Sequence, residues 1–373
     1  MAFFTPLFID PSKVVEDFIE HLLSQGIQIL DYEAVDDKLR ELIDSKDSIY
    51  IDPNRLNYGL YNTLEKIGCN IIEDREITAD LKAIKNEVEI ENLKNTLIRD
   101  GVAMVKFLYW LDSNLDNGIT EIEAAEKVDE FRAEQDENRG ASFTSISAYR
   151  DHAAMMHYSP TPETQHTLKR EGMYLLDSGG QYLGGTTDIT RTIVLGPISE
   201  MEKRDFTLVL KGNISLSRAK FLYGATGPNL DVLARQPIWR YGLDYKCGTG
   251  HGVGFYLNVH EGPQNLSQRV NNVKLEAGMI LTNEPGIYKE GEYGIRTENM
   301  MLVAEDEKTD CGQFMRFDII TYCPIDIDGI DVDLLDDEER VWLNDYHRQV
   351  YEKLSPYLND NEKTWLKEAT REL

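Results

Sequence analysis

Two aspartates bracket a glycine-rich connection in LLDSGGQYLGGTTDITRTIVL: Asp177 closes one β-like run and Asp188 sits early in the next. A hairpin of that kind brings both carboxylates to one point on a sheet, where two unpaired negative charges repel and a cation is the usual remedy. Taken singly, an Asp before Ser-Gly-Gly is an ordinary turn-former. In CGTGHGVGFYLNVHEGP, His251 has glycine on each side, and His260 follows nine residues later. Flanking glycines let a backbone or a ligand come close, although an isolated histidine is more often a hydrogen-bonded core residue. These glycines do not make a phosphate loop, because the Lys-Ser/Thr ending is missing. In ILTNEPGIYKEGEYGIRTENMMLV, Glu284 precedes Pro-Gly and Glu298 lies in a second β-like run. Inward-facing glutamates are costly unless paired or metal-bound, and Arg296 offers the plain ion-pair alternative.

As a set, two Asp, one His and two Glu suit a pair of adjacent divalent ions bridged by carboxylates. Oxygen-rich ligation with one imidazole and no thiolate favours Mn2+ and leaves Co2+, Fe2+ or Zn2+ open. Such a pair activates a shared water and stabilises the oxyanion formed during hydrolysis.

The elements that must hold these donors can be read from the apolar pattern. Residues 1 to about 80 alternate FFTPLFI, VVEDFIEHLL, IQIL, VDDKLRELI, SIYI, LNYGLYNTL and NII, a β-α-β-α-β-α-β order that builds a small α/β layer. From Ile84 the apolar spacing becomes helical over many turns, which puts a domain boundary near 80 to 84; Thr120 is placed to cap the next helix. The stretch 141 to 335 is rich in glycine and short β-like runs and predicts an antiparallel sheet with irregular connections. After Asp336, Trp342, Tyr346, Val350, Leu354 and Leu358 fall on one helical stripe, either packed on the domain's flank or forming a subunit interface.

Composition narrows the partners. With 66 acidic against 39 basic residues and a formal charge of -27, the surface repels phosphate backbones, which argues against nucleic acid. No stretch approaches the roughly 20 apolar residues of a membrane span, and the start lacks a basic segment followed by a long apolar core. Cys69, Cys247, Cys311 and Cys323 are scattered without a CxxC pair, so reduced thiols and a cytoplasmic location are expected.

The motifs resemble those of a known family, the metallopeptidases of the methionine aminopeptidase, prolidase and aminopeptidase P group. The likeness is strongest to its cytosolic three-domain Xaa-Pro aminopeptidases. It runs from IDPNRLNYGLYN and LKAIKNEVEIENLKNTLIRDGVA to YHRQVYEKLSPYL. It implies an α+β architecture: a pita-bread catalytic domain over 83–373 with a helical extension from about 331, preceded by a partial creatinase-like α/β domain over 1–82. It further implies that Asp188 and Glu298 bridge two divalent metals, that Asp177 binds one, and that His251 and Glu284 bind the other. Glu284 would also take the proton from the attacking water. His260 would hydrogen-bond the peptide and steady the tetrahedral intermediate. His157, in MMHYSP, would help line a proline pocket, its plain alternative being a buried histidine satisfied by backbone. Arg296 would hold the carboxylates in place.

The implied activity is hydrolysis of the N-terminal Xaa-Pro bond by a hydroxide bridging the two metals, on short peptides with proline second, by a homodimer. A prolidase confined to dipeptides stays open beside it, as does a pita-bread binding module without catalysis. The interval from His251 to His260 and the long tail favour the aminopeptidase. Two departures stand out. Cys247 occupies the place where many relatives have a histidine. In addition, the family's first domain and the beginning of its second are missing, as expected of a fragment.

Overall fold

The computed structural model of the chain describes residues 6–373, which divide into two compact units, one ending at Asp80 and one beginning at Leu81. In the first unit, the strands Pro6–Ile9 and Gln28–Asp31 pair in parallel, as do Ser48–Ile51 and Asn70–Glu73. Between them come the helices Glu16–Ser24, Val35–Leu42 and Tyr58–Ile67. The alternation follows the apolar pattern, but the strands form two separate pairs rather than one sheet. Parallel neighbours need a crossover helix, and each pair here encloses one.

The second unit opens with the long helix Glu87–Asn114, started by a capping box in which the Asn86 side chain accepts from the Val88 and Glu89 amides. Thr120 caps the next helix, Glu121–Ala133, in the same way. The strands Ile146–Tyr149, Met173–Ser178 and Ile189–Val194 form an antiparallel sheet, with the last pair in the register Thr190↔Asp177. A second antiparallel sheet joins Lys220–Leu222, Gly312–Ile319, Asn299–Thr309 and Ile280–Asn283. Val102 and Val105 of the long helix and Phe206, Val209 and Leu210 of Glu200–Ser217 fill one core. Met104, Phe107 and Leu111 pack with Tyr174, Leu176 and Ile189 in another, beneath the strands that lead to Asp177 and Asp188.

The C-terminal stripe belongs to this interior. Tyr346, Val350, Leu354 and Leu358 are buried in the first core, and Trp342 packs on it part-buried. The flank-packing alternative therefore holds, and these side chains are not available to a second subunit. Among the described residues, no helix is long and apolar enough to cross a membrane.

Arg191 fastens the two sheets and the tail together. Its guanidinium is 2% exposed and donates to the carbonyls of Pro324 at 3.0 Å, Cys323 at 2.9 Å and Glu298 at 2.6 Å, and to Asn299 Oδ1 at 2.8 Å. It also reaches the Tyr346 hydroxyl at 2.9 Å. The planar fork satisfies acceptors on several segments at once, which an ammonium cannot do. Arg191→Lys should therefore lower the unfolding free energy by about 2–4 kcal/mol in urea titrations, since several buried acceptors lose their donor. Removing the exposed Arg348, which pairs with Asp345 on the same helix face, should leave the midpoint nearly unmoved.

Candidate metal centre

Asp177 comes from the strand Met173–Ser178, and Asp188 directly precedes its partner Ile189–Val194. The antiparallel register brings the two to the same end of the sheet. Both are buried, at 7% and 4% exposure. Asp177 Oδ2 faces the Arg296 guanidinium, while its Oδ1 is buried with no hydrogen-bond partner among the described residues.

His251 lies on the two-residue strand Gly250–His251, paired with Asn265–Leu266. The surrounding glycines serve close backbone approach. A Cβ on Gly250 would stand 2.0 Å from the Thr282 carbonyl oxygen, and one on Gly252 would stand 2.1 Å from that of Glu261. His251 Nδ1 donates to the Gly252 carbonyl at 3.0 Å, which directs Nε2 toward Asp188 at 3.4 Å and Glu284 at 3.6 Å. Glu284 follows the strand Ile280–Asn283, its amide donating to the Thr249 carbonyl at 2.7 Å. Glu298, 1% exposed, accepts from the Thr190 hydroxyl at 2.6 Å.

The plain pairing of Glu284 or Glu298 with Arg296 is not what the fold adopts. Arg296 instead bonds Asp177, the Tyr288 hydroxyl at 2.8 Å and the Thr190 hydroxyl at 3.1 Å. Donor atoms of Asp188, His251 and Glu298 all lie within 4.8 Å of one another. Glu284 adjoins His251, and the Asp177 charge acts on Asp188, Glu284 and Glu298. Asp188, His251 and Glu298 therefore converge with Glu284 beside them, and Asp177 is linked to the group through Arg296, which also bonds Thr190.

Their electrostatics fit a bound cation. Burial, with the Asp177 charge adding to it, pushes the Asp188 carboxyl up to about 7. Burial also raises Glu284, and it raises Glu298 well above the usual carboxylate range, helped by the charge of Asp188. At His251 burial works downward, yet Asp188 and Glu284 prevail and lift the imidazole to about 9. Each of these groups is driven toward its proton-bound form, as expected where several carboxylates are buried together. A divalent cation among oxygen donors and one imidazole supplies that charge.

His260 and His157 are both exposed. The His260 ring stands edge-on to that of His251, centroids 4.1 Å apart. Burial lowers its basicity, and positive charge on His251 and His157 lowers it further. The buried-histidine alternative for His157 does not hold. Cys247 is half-buried, and burial, then the charge of Glu284, push its thiol up to about 11, so it stays neutral.

Thr190, Tyr288 and Thr282 were not singled out from sequence, although the period of two in TTDITRT puts Thr190 on the face of Asp188. A second grouping, Asp151, His152 and His166, also offers closely spaced donor atoms. Its two imidazoles stack 3.7 Å apart with planes 3° from parallel, so their in-plane lone pairs cannot meet on one ion. Buried Glu121 satisfies this group, accepting from His152, the His166 amide and the Tyr149 amide. The cluster holds the segment that leads to His157.

A buried, oxygen-rich, metal-demanding centre at the ends of antiparallel strands defines a metallohydrolase type of site. Residues 91–305 match metallopeptidase family M24, residues 313–373 match the C-terminal region of that peptidase, and residues 3–89 match the creatinase/prolidase N-terminal domain. The chain belongs to metallopeptidase family M24 and has its pita-bread fold. It is 38% identical over 419 residues to aminopeptidase P1 of Arabidopsis thaliana, covering 98% of this chain and 64% of the relative. To Xaa-Pro aminopeptidase 1 of Dictyostelium discoideum it is 41% identical over 379 residues, covering 98% and 60%. Its structure resembles the X-prolyl aminopeptidase of Caenorhabditis elegans, described as a cytosolic enzyme with a di-nuclear active site, at a TM-score of 0.93 and 37% identity, over 99% of this chain and 62% of that one. The Xaa-Pro dipeptidase of Bacillus anthracis is similar at a TM-score of 0.64 and 27% identity, covering 83% and 84%. The chain thus spans about six tenths of the length of the aminopeptidases it matches.

Two measurements follow from the site. Thr190→Val removes the donor that orients Glu298, and divalent-ion retention against a chelator should weaken about 10- to 100-fold. In metal-free protein, the raised Asp188 favours folding while it is protonated. Its contribution is present below its unfolded value near 4 and is lost as pH rises to about 7. His251, raised to about 9, adds a loss above its unfolded value near 6.5. Melting curves of metal-free Asp188→Asn should show a smaller decline between about pH 4 and 7, the remainder coming from the raised Glu284 and Glu298, and a divalent ion should flatten it in the unaltered protein.

Proposed function

We propose that this chain is the catalytic portion of a metal-dependent aminopeptidase that hydrolyses the N-terminal Xaa-Pro bond of short peptides. The convergence of Asp188, His251, Glu284 and Glu298, with Asp177 tied to them through Arg296, carries this reading. Similarity to enzymes named for that activity supports it. Asp188 and Glu298 would be shared by two divalent ions, Asp177 would serve one, and His251 with Glu284 the other. The oxygen-rich set favours Mn2+. When bound, the ions supply a water acidified at neutral pH and positive charge for the oxyanion of the tetrahedral intermediate.

The side chains do the rest. Glu284, its basicity raised by burial, takes a proton from the water and returns it to the departing proline nitrogen. That nitrogen leaves as a secondary amine and must be protonated. His260, held neutral, donates a hydrogen bond to the former carbonyl oxygen. His157 lies on the exposed segment before Tyr158 and borders the proline ring. Arg296 restrains Asp177. The acidic surroundings attract the substrate's free ammonium group. A tertiary amide has no N–H to offer, so recognition rests on ring shape and the terminal amine.

Dipeptidase activity is the second reading, favoured by the likeness to the Bacillus anthracis enzyme. The higher identity to aminopeptidases, sustained over 98% of the chain, favours the first. We assign the protein to the cytoplasm: its cysteines are free, and the Caenorhabditis elegans neighbour is described as cytosolic. The homodimer implied by the resemblance belongs to the same reading.

Mn2+-dependent release of alanine from Ala-Pro-Ala should be observed, and cleavage of Ala-Pro alone would give the assignment to the dipeptidase. Glu284→Gln should lower kcat by at least about 10³-fold with an unchanged circular dichroism spectrum. A fully active Glu284→Gln would remove its proton-transfer role. Cys247→His should be tolerated or mildly activating in the same assay.

A further inference from the structure

Beneath the loop that carries His260 lies a buried charge grouping that the proposed chemistry does not use. Lys85 is 3% exposed, and its ammonium donates to the Val253 carbonyl at 2.8 Å and to that of Ala83 at 3.4 Å. Glu261, the residue after His260, has a side chain 1% exposed; its Oε2 faces the Lys82 ammonium at 3.1 Å, and its Oε1 has no hydrogen-bond partner among the described residues. A buried carboxylate is expensive, and next to an exposed histidine it has no packing role that an apolar residue could not fill. Burial draws the Lys85 ammonium down to about 8, and Glu261 resists that fall.

The loop is pinned at both ends. At its base, the Glu261 amide donates to the Gly252 carbonyl at 2.7 Å, and the Gly252 amide donates to the Gln264 carbonyl at 3.2 Å. At its tip, the Leu257 carbonyl accepts from Gln181 Nε2 at 2.7 Å and from the Thr186 hydroxyl at 3.2 Å. Tyr256 holds a φ of 52°, a left-handed conformation that a bulky residue adopts only when its surroundings impose it. A Cβ on Gly254 would stand 2.8 Å from Glu261 Oε2, so that glycine leaves room for the carboxylate against the main chain.

We propose that Lys82 and Lys85 are positioning residues for the proposed peptide hydrolysis: through Glu261 and the Val253 carbonyl they hold the loop so that His260 stands edge-on to His251. The inference rests on the aminopeptidase reading for its kinetic consequence and on geometry alone for its structural one. Lys82 is the residue to alter, because its side chain is one-third exposed and its removal should leave the fold intact.

In Mn2+-loaded protein, Lys82→Ala should lower kcat on Ala-Pro-Ala about tenfold with KM within about twofold, the mark of a displaced group that acts in the transition state. Lys82→Arg should restore most of the rate. In a His260→Ala background, Lys82→Ala should add little further loss, because both changes remove one function. In metal-free protein, Lys82→Ala should also shift the His260 imidazole resonance and its titration, followed by two-dimensional NMR. An equal loss in the His260→Ala background, a change confined to KM, or an unmoved His260 resonance overturns the proposal. If the unaltered protein cleaves no Xaa-Pro peptide, the functional reading fails, while the imidazole signal still decides the clamp.

Discussion

Four carboxylates, Asp177, Asp188, Glu284 and Glu298, share one small volume with the imidazole of His251, and most of that volume is closed to water. Their mutual repulsion in a weakly screening interior is the term that the surrounding structure must offset. Arg296 compensates one of them through Asp177, Thr190 orients another, and the rest of the imbalance is left for divalent cations. Removing water strengthens both the repulsion and the attraction to such ions, so the same burial that destabilises the metal-free cluster would tighten the loaded one.

That constraint accounts for the framework around it. Donors that repel stay together only on rigid supports, and four of the five lie in or beside paired antiparallel strands, the fifth following one directly. The strands are locked from behind by Arg191, whose six-fold bonding runs from Thr190 and the Glu298 carbonyl to Tyr346 of the C-terminal helix. The tail is therefore part of the apparatus that sets the spacing of the carboxylate and imidazole donors. His157, Tyr256, Leu257 and His260 are exposed, and the loop that carries the last three is itself tied down, at Leu257 by Gln181 and Thr186 and at Glu261 by Gly252. Groups fixed in advance on both sides of the site are the arrangement that favours charge as it develops, because they need no reorganisation at that moment.

Several features were legible before any coordinates. The alternation of the first unit, the Thr120 cap and the antiparallel middle all follow from local periodicity and turn chemistry, which act over a few residues. The five donors could be picked out because glycines and prolines mark the places where main chain must approach closely, as Gly250 and Gly252 do. Less accessible were Arg191, Tyr288 and Lys85. Nothing in the immediate neighbours of Arg191 and Lys85 shows that each reaches across more than a hundred residues, and the Tyr288 contact depends on how its own hairpin pairs it beside Arg296.

The amino-acid sequence by itself determined the donor chemistry and the element types, since both depend on side-chain identity and short-range backbone preference. Tertiary structure alone decided the rest. It settled that Arg296 pairs with Asp177 and not with a glutamate, that the C-terminal stripe is core and not surface, and that Asp151, His152 and His166 stack where they might have ligated. Each of those outcomes turns on the direction in which side chains from different segments meet, and no local pattern encodes a direction.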